Sequence, residues 1–95
     1  MRLLGLANRA HKVTLGMSAT AKSIRQGKCR LLLLAADLAE NARQKIAVDA
    51  QKAAVPVVEF GTKELLGQVV GRGELGIVGI EDAGFALALR DSLPS

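Results

Sequence analysis

The sequence predicts an α/β fold in which helices cover both faces of a sheet, and three observations carry this prediction. Stretches with helical and with extended patterns alternate along the whole chain. Residues 31–36 (LLLLAA) form an uninterrupted apolar run, which is typical of a central strand that is buried on both faces. Only two of the 95 residues are aromatic, so the core must consist mainly of Leu, Val, Ile and Ala.

The first half of the chain predicts two helices and two strands. Residues 2–10 form the first helix, and the face predicted to be buried consists of Leu3, Leu6, Ala7 and Ala10. Residues 12–15 are a short extended segment that ends at Gly16. Over residues 17–26 a second helix is predicted, with Met17, Ala21 and Ile24 inward, and Gly27 suits the left-handed position that follows a helix. Residues 31–36 are the central strand.

The second half predicts three more helices and two more strands. Asp37 stands three residues before Glu40, which predicts a side-chain cap and a helix over residues 37–53. The stripe predicted to be buried is Ala42, Ile46, Ala50 and Ala53. Residues 55–60 and 76–80 are predicted strands, and between them Thr62 caps a short helix that Gly71 closes. Asp82 starts a final helix whose inward residues are Phe85, Ala86, Leu89 and Leu93.

Charge is unevenly distributed along a chain that shows no repeat or linker and is predicted to form one domain over residues 1–95. Residues 1–36 contain seven basic and no acidic side chains, whereas residues 37–95 contain six basic and nine acidic ones. The two parts therefore carry +7 and −3, which gives the net charge of +4. Like charges at this density favour a polyanionic partner, of which nucleic acid is the commonest.

Catalytic and metal-binding patterns are missing from the sequence. His11 is the only histidine and Cys29 the only cysteine, so neither a metal site nor an internal disulfide is predicted. Nucleotide-binding glycine motifs do not occur either, and we expect no enzyme activity and no cofactor. The longest apolar run is far below the roughly 20 residues that span a bilayer. A cytoplasmic protein without membrane contact is expected.

Residues 16–22 (GMSATAK) carry the strongest local signal for binding. Gly16 allows a sharp turn into a helix whose first amides are unpaired, and such a helix end binds phosphate oxygens. At helical spacing Ser18, Lys22 and Arg25 share the face opposite the apolar stripe. Periodicity alone is equally compatible with Ser18 or Thr20 acting as a helix cap and the cations acting only as solubilising groups.

The order of the motifs resembles the kink-turn-binding ribosomal protein superfamily. The turn at residues 16–22 is followed by Gly27-Lys28, the apolar strand, the acidic Asp37, Val55-Pro56-Val57 and residues 63–67 (KELLG). The opening residues 5–12 (GLANRAHK) are similar to the bacterial YlxQ branch of that superfamily. The resemblance covers about residues 3 to 90.

This resemblance implies a three-layer α/β/α sandwich around a four-stranded mixed sheet, and RNA binding through two loops. In the first loop Gly16, Met17, Ser18, Ala19 and Lys22 would meet tandem sheared G·A pairs, with further phosphate contacts from Arg25 and Lys28. In the second, residues 70–76, Leu75 would cover an extruded nucleotide beside Arg72. Strong kink-turn binders carry Asn-Glu or Lys-Gln where this chain has Ser18-Ala19, so a relaxed or altered sequence preference is expected.

The leading hypothesis is a monomeric, non-catalytic RNA-binding protein that binds structured, kink-turn-like RNA, with the ribosome or ribosomal proteins as further partners. A protein-interaction module of the same fold with a degenerate RNA site is the alternative, because fold alone does not determine function. A fragment of an RNA methyltransferase is a third hypothesis.

Overall fold

The structure is a computed structural model that describes residues 2–92. Helices and strands alternate along this range, as the sequence pattern predicts. The helices are Arg2–Arg9 (α1), Met17–Arg25 (α2), Glu40–Lys52 (α3), Lys63–Val69 (α4) and Ala83–Ser92 (α5). The strands are Val13–Leu15 (β1), Leu31–Leu34 (β2), Val57–Glu59 (β3) and Ile77–Ile80 (β4).

The four strands form one mixed sheet in the order β1-β4-β2-β3. β4 pairs antiparallel with both β1 and β2, while β2 pairs parallel with β3. The strand predicted to be central is indeed an inner strand, and its four leucines are at most 1% exposed. The predicted α/β fold with a four-stranded mixed sheet is therefore confirmed.

The core consists of two layers, one on each face of the sheet. Leu31 and Leu33 of β2 pack with side chains from α1, α4 and α5. Leu32 and Leu34 point the other way and pack with side chains from α2 and α3. Because a strand alternates its side chains between two faces, one run of leucines supplies both layers. Truncating any of them to alanine would cost about 2–5 kcal/mol of folding free energy.

The inner face of the first helix matches the predicted one only in part: Ala7 is buried and Leu3 half-buried against the core, as predicted. Leu4 is fully buried and Ala7 with it, but Leu6 is 38% exposed and Ala10 is exposed. In the eight residues of α1, Leu3, Leu4 and Leu6 span about 160° of the helix circumference, so spacing alone does not fix the inner face. Packing against α5 and the sheet selects Leu4.

Two of the three predicted acidic or hydroxyl helix starts are confirmed and one is wrong. Thr62 Oγ1 accepts a hydrogen bond from the amide of Leu65 (3.1 Å), and Asp82 Oδ2 accepts one from the amide of Phe85 (2.8 Å). Asp37 does not cap α3, which begins at Glu40 without a side-chain cap.

Further differences concern single positions. Ile46 and Ala50 of α3 are buried as predicted, whereas Ala42 is half-buried and Ala53 exposed. Leu93, predicted to face inward from the last helix, lies outside the described residues. Within residues 2–92, no helix has the length and apolar character needed to cross a membrane.

Candidate nucleic-acid interface

Loops from both faces of the sheet meet at one of its edges. The amide of Gly16 donates to the carbonyl of Ile77 (2.9 Å), so the β1–α2 turn lies beside the start of β4. The amide of Ala35 donates to the carbonyl of Gly76 (2.9 Å), which brings the end of β2 to the same place. The two segments singled out from the sequence, residues 16–22 and 70–76, are therefore neighbours in the fold.

Gly16 opens α2 in a backbone conformation that glycine alone adopts readily. Its φ is 88° and its ψ is 175°, a region that a side chain makes costly. Neither Ser18 nor Thr20 acts as the helix cap, because the cap position is Gly16 and no side chain bonds the first amides. Ser18 and Ala19 are exposed, and Met17 is half-buried against the α2–α3 core layer. The positive end of the helix is thus accessible at this edge.

Thr20 fastens the first turn of α2 to the sheet, a role that the sequence did not predict. The residue is fully buried, and its Oγ1 lies 2.9 Å from Thr14 Oγ1 on β1. Gly79 of β4 lies beneath them, where an added Cβ would stand 2.5 Å from the Thr14 hydroxyl. The missing side chain lets the helix approach the sheet closely. The sequence gives no clear signal for this contact, because nothing local pairs Thr20 on the helix with Thr14 on the preceding strand.

A second polar contact holds the other half of α2. Ser23 is 2% exposed, and its Oγ donates to Glu81 Oε2 at 2.7 Å. Cys29 lies close by, fully within the core layer, and burial raises the pKa of its thiol. The cysteine is therefore protonated at neutral pH and belongs to the core.

The three predicted phosphate-binding cations occupy different parts of α2 and its end. Lys22 and Arg25 are exposed on its outer face, but Arg25 Nη1 also lies 3.6 Å from Asp49 Oδ2 of α3. Lys28 follows the end of the helix, where its amide bonds the carbonyl of Ser23 (3.0 Å). Because the nine residues of α2 span about 13 Å, Lys28 lies at the far end from Gly16. Its predicted phosphate contact would therefore lie at the other end of the helix from the turn.

The α4–β4 loop, residues 70–76, folds back tightly on α4. The amide of Arg72 donates to the carbonyl of Gly67 (2.6 Å), and a Cβ on Gly67 would collide with the carbonyl oxygen of Gly73. The amide of Leu75 donates to the carbonyl of Lys63 (2.9 Å). These contacts fix the loop and leave residues 71–74, including Arg72, exposed.

Leu75 does not belong to that exposed part. Its side chain is 8% exposed and packs in the core layer beneath α1, α4 and α5. Covering an extruded base requires an accessible apolar surface, and Leu75 offers little of one in this structure. The residue holds the loop instead.

Other side chains that the sequence did not predict brace the same edge. Asp37 Oδ1 accepts a hydrogen bond from the amide of Lys63 (2.8 Å) and so joins the β2–α3 loop to α4. Arg43 donates to the carbonyl of Ala35 (2.9 Å) and lies 3.2 Å from Glu59. These partners are far apart in the sequence, and no local pattern connects them.

A family model and individual relatives place this sequence in the same protein family. The sequence matches the model of the ribosomal protein L7Ae/L30e/S12e/Gadd45 family over residues 1–89. The RNA-binding protein YlxQ of Bacillus subtilis (strain 168) is 36% identical over 84 residues, which cover 88% of this chain and 84% of the relative. The large ribosomal subunit protein eL30 of Saccharomyces cerevisiae is 35% identical over 83 residues, covering 85% and 79%.

Solved structures show the same fold. A protein with unknown function from Bacillus halodurans C superimposes with a TM-score of 0.89 at 30% identity, covering 94% of this chain and 90% of the other. The Giardia lamblia 15.5kD RNA binding protein superimposes with a TM-score of 0.77 at 19% identity, covering 94% and 77%. At that lower identity the second likeness concerns the fold alone.

Proposed function

This chain belongs to the ribosomal protein L7Ae/L30e/S12e/Gadd45 family, and we propose that residues 1–95 act as one small, non-catalytic RNA-binding domain linked to the ribosome or translation. Its ligand is a folded RNA with a sharply bent, kink-turn-like internal loop. The observation that carries the proposal is the exposed first turn of α2 beside the α4–β4 loop, at one edge of the sheet. Its relatives YlxQ, an RNA-binding protein, and eL30, a protein of the large ribosomal subunit, support an RNA ligand.

The first turn of α2 supplies the contact to the RNA backbone. Its open amides and the positive end of the helix dipole attract phosphate oxygens. Lys22 stands one turn further along on the exposed face, and within residues 2–92 neither ion pair involves it. Arg25 shares its guanidinium with Asp49, so its expected contribution is smaller.

Recognition by shape rather than by base stacking follows from the composition. The two aromatic side chains, Phe60 and Phe85, are half-buried against the core, which leaves little ring surface on which single-stranded bases could stack. Ser18 provides one hydroxyl and Ala19 no polar group, so the turn lacks an amide or carboxylate for reading base edges. Losing one good bidentate base contact costs about 1–3 kcal/mol of discrimination.

A salt titration tests the proposal. Binding of a fluorescent kink-turn RNA is measured by anisotropy at several salt concentrations, for the wild type and for Lys22→Ala. Because Lys22 neutralises one phosphate, its loss is expected to weaken binding and to lower the slope of log K against log salt by about one. Lys45→Ala is the matched control, since it removes one exposed charge from α3. The proposal fails if the wild type does not bind, or if both variants behave alike.

A gain-of-function variant tests the base contacts separately. Ser18→Asn combined with Ala19→Glu restores the side chains that resemble those of strong kink-turn binders. Both positions are exposed, so folding should not change. The double variant is expected to prefer RNA with sheared G·A pairs over the same RNA with Watson–Crick pairs by a factor roughly 5-fold to 100-fold larger than the wild type does. If the wild type and the double variant prefer the sheared pairs to the same extent, the turn does not contact the bases.

A further inference from the structure

A basic groove lies on the face of the sheet opposite α2, outside the proposed site. It runs between α1 and the end of α4, is open to solvent, and has a volume of about 430 Å³. The lining residues are Arg2, Gly5, Leu6, Arg9 and Val69. An added Cβ on Gly5 would stand 4.0 Å from Val69, so the two helices are in close contact at its floor.

Within residues 2–92, no carboxylate forms an ion pair with the arginines of the groove. Arg2 and Arg9 are both exposed and stand seven residues apart, which puts them on one side of α1 with about 10 Å between their turns. The helix contains no acidic residue. Among residues 2–92 the ion pairs join Arg25 to Asp49 and Arg43 to Glu59, so neither groove arginine is paired there.

The groove is continuous with the proposed RNA surface. Val69 is the last residue of α4, and the exposed loop that carries Arg72 follows directly. α1 and α2 cover opposite faces of the sheet, and this loop lies at the edge between them. An RNA that contacts both helices must therefore bend around that edge.

We infer that the groove binds the phosphate backbone of a double-stranded RNA stem next to the bent loop, an inference that rests on the proposed function. Guanidinium groups bind phosphates with paired hydrogen bonds, and Arg2 and Arg9 are spaced to contact different phosphates of one backbone. Double-stranded RNA is bound mostly through its backbone and shape, which requires charge and no base-reading group. The loop RNA occupies the α2 side of the edge, and the stem continues along α1.

The test combines two protein variants with RNAs of different stem length. Arg2→Gln/Arg9→Gln removes two charges from the groove, and Lys45→Gln/Lys52→Gln removes two exposed charges from α3 on the other face. Anisotropy titrations use a kink-turn RNA with two long stems and two further RNAs in which one or the other stem is cut to a few base pairs. For the long-stem RNA the groove variant is expected to bind about tenfold more weakly or worse, with a salt slope lower by about two.

Shortening one particular stem should abolish the difference between the groove variant and the wild type, whereas the α3 variant should match the wild type throughout. The inference is overturned if the groove variant binds like the wild type, if its defect persists with both short-stem RNAs, or if the α3 variant has the same defect. Lys22→Ala distinguishes failure of the groove inference from failure of the proposed function. If Lys22→Ala weakens binding but the groove variant does not, the proposed function stands and only the groove inference is overturned.

Discussion

Replacing Gly16 by alanine tests whether the turn into α2 depends on a glycine-only backbone. No heavy atom lies within 4 Å of the position that a Cβ would take, so the substitution creates no clash. The whole penalty must come from holding an L-residue at φ 88° and ψ 175°. Such a conformation costs about 1–3 kcal/mol, a large share of a folding free energy of about 5–15 kcal/mol. Urea denaturation should show a midpoint lower by about 1–2 M.

Gly73→Ala is the matched control for this substitution. Its Cβ also meets nothing within 4 Å, but its φ does not lie in the left-handed range. We expect an unchanged stability or a gain of about 0.4–1 kcal/mol, since alanine restricts the unfolded chain. D-alanine at position 16, introduced by chemical ligation, should restore stability, because the mirror-image conformation is ordinary extended backbone. Equal losses for Gly16→Ala and Gly73→Ala, or no rescue by D-alanine, would refute the explanation from backbone strain.

Three further substitutions or measurements probe the elements that hold the interface. Gly67→Ala should lower stability by about 1–3 kcal/mol and weaken RNA binding, because its Cβ would collide with the carbonyl of Gly73; urea denaturation and anisotropy measure the two effects. Thr20→Val should cost about 1 kcal/mol in thermal denaturation, since the Thr14 hydroxyl loses its partner, and an unchanged melting temperature would contradict this. Burial raises the pKa of Cys29, so alkylation at pH 8 should follow global unfolding. Keeping the Cys29 thiol protonated in the folded state contributes to stability, fully below the ordinary thiol pKa of about 8.5, and this contribution is lost as pH rises through the raised pKa of the folded state. Rapid alkylation of the native protein would argue against burial of the thiol.

Much of the fold follows from local patterns in the sequence. The run of leucines at residues 31–34 predicts an inner strand because only a strand covered on both faces has no polar side. Thr62 and Asp82 mark helix starts because their side chains bond amides only three residues away. Signals of this kind are local, and they identify the elements and their order.

The structure differs from the sequence-based prediction where a residue's contacts come from distant parts of the chain. Asp37 has the spacing of a helix cap, but the amide of Lys63, 26 residues further along, takes its carboxylate instead. Leu75 lies in a glycine-rich loop that suggests exposure, yet the bond from its amide to Lys63 turns the side chain into the core. Sequence identified the turn at Gly16, whereas the neighbourhood of that turn required the assembled sheet.

Amide chemical shifts measured by NMR during titration with a kink-turn RNA test most directly whether both loops form one binding surface. The expected result is that the largest shifts fall in residues 16–22 and 71–74, together and at the same RNA concentration. Shifts confined to α3 and β3, or confined to one of the two segments, would contradict a shared surface at this edge of the sheet.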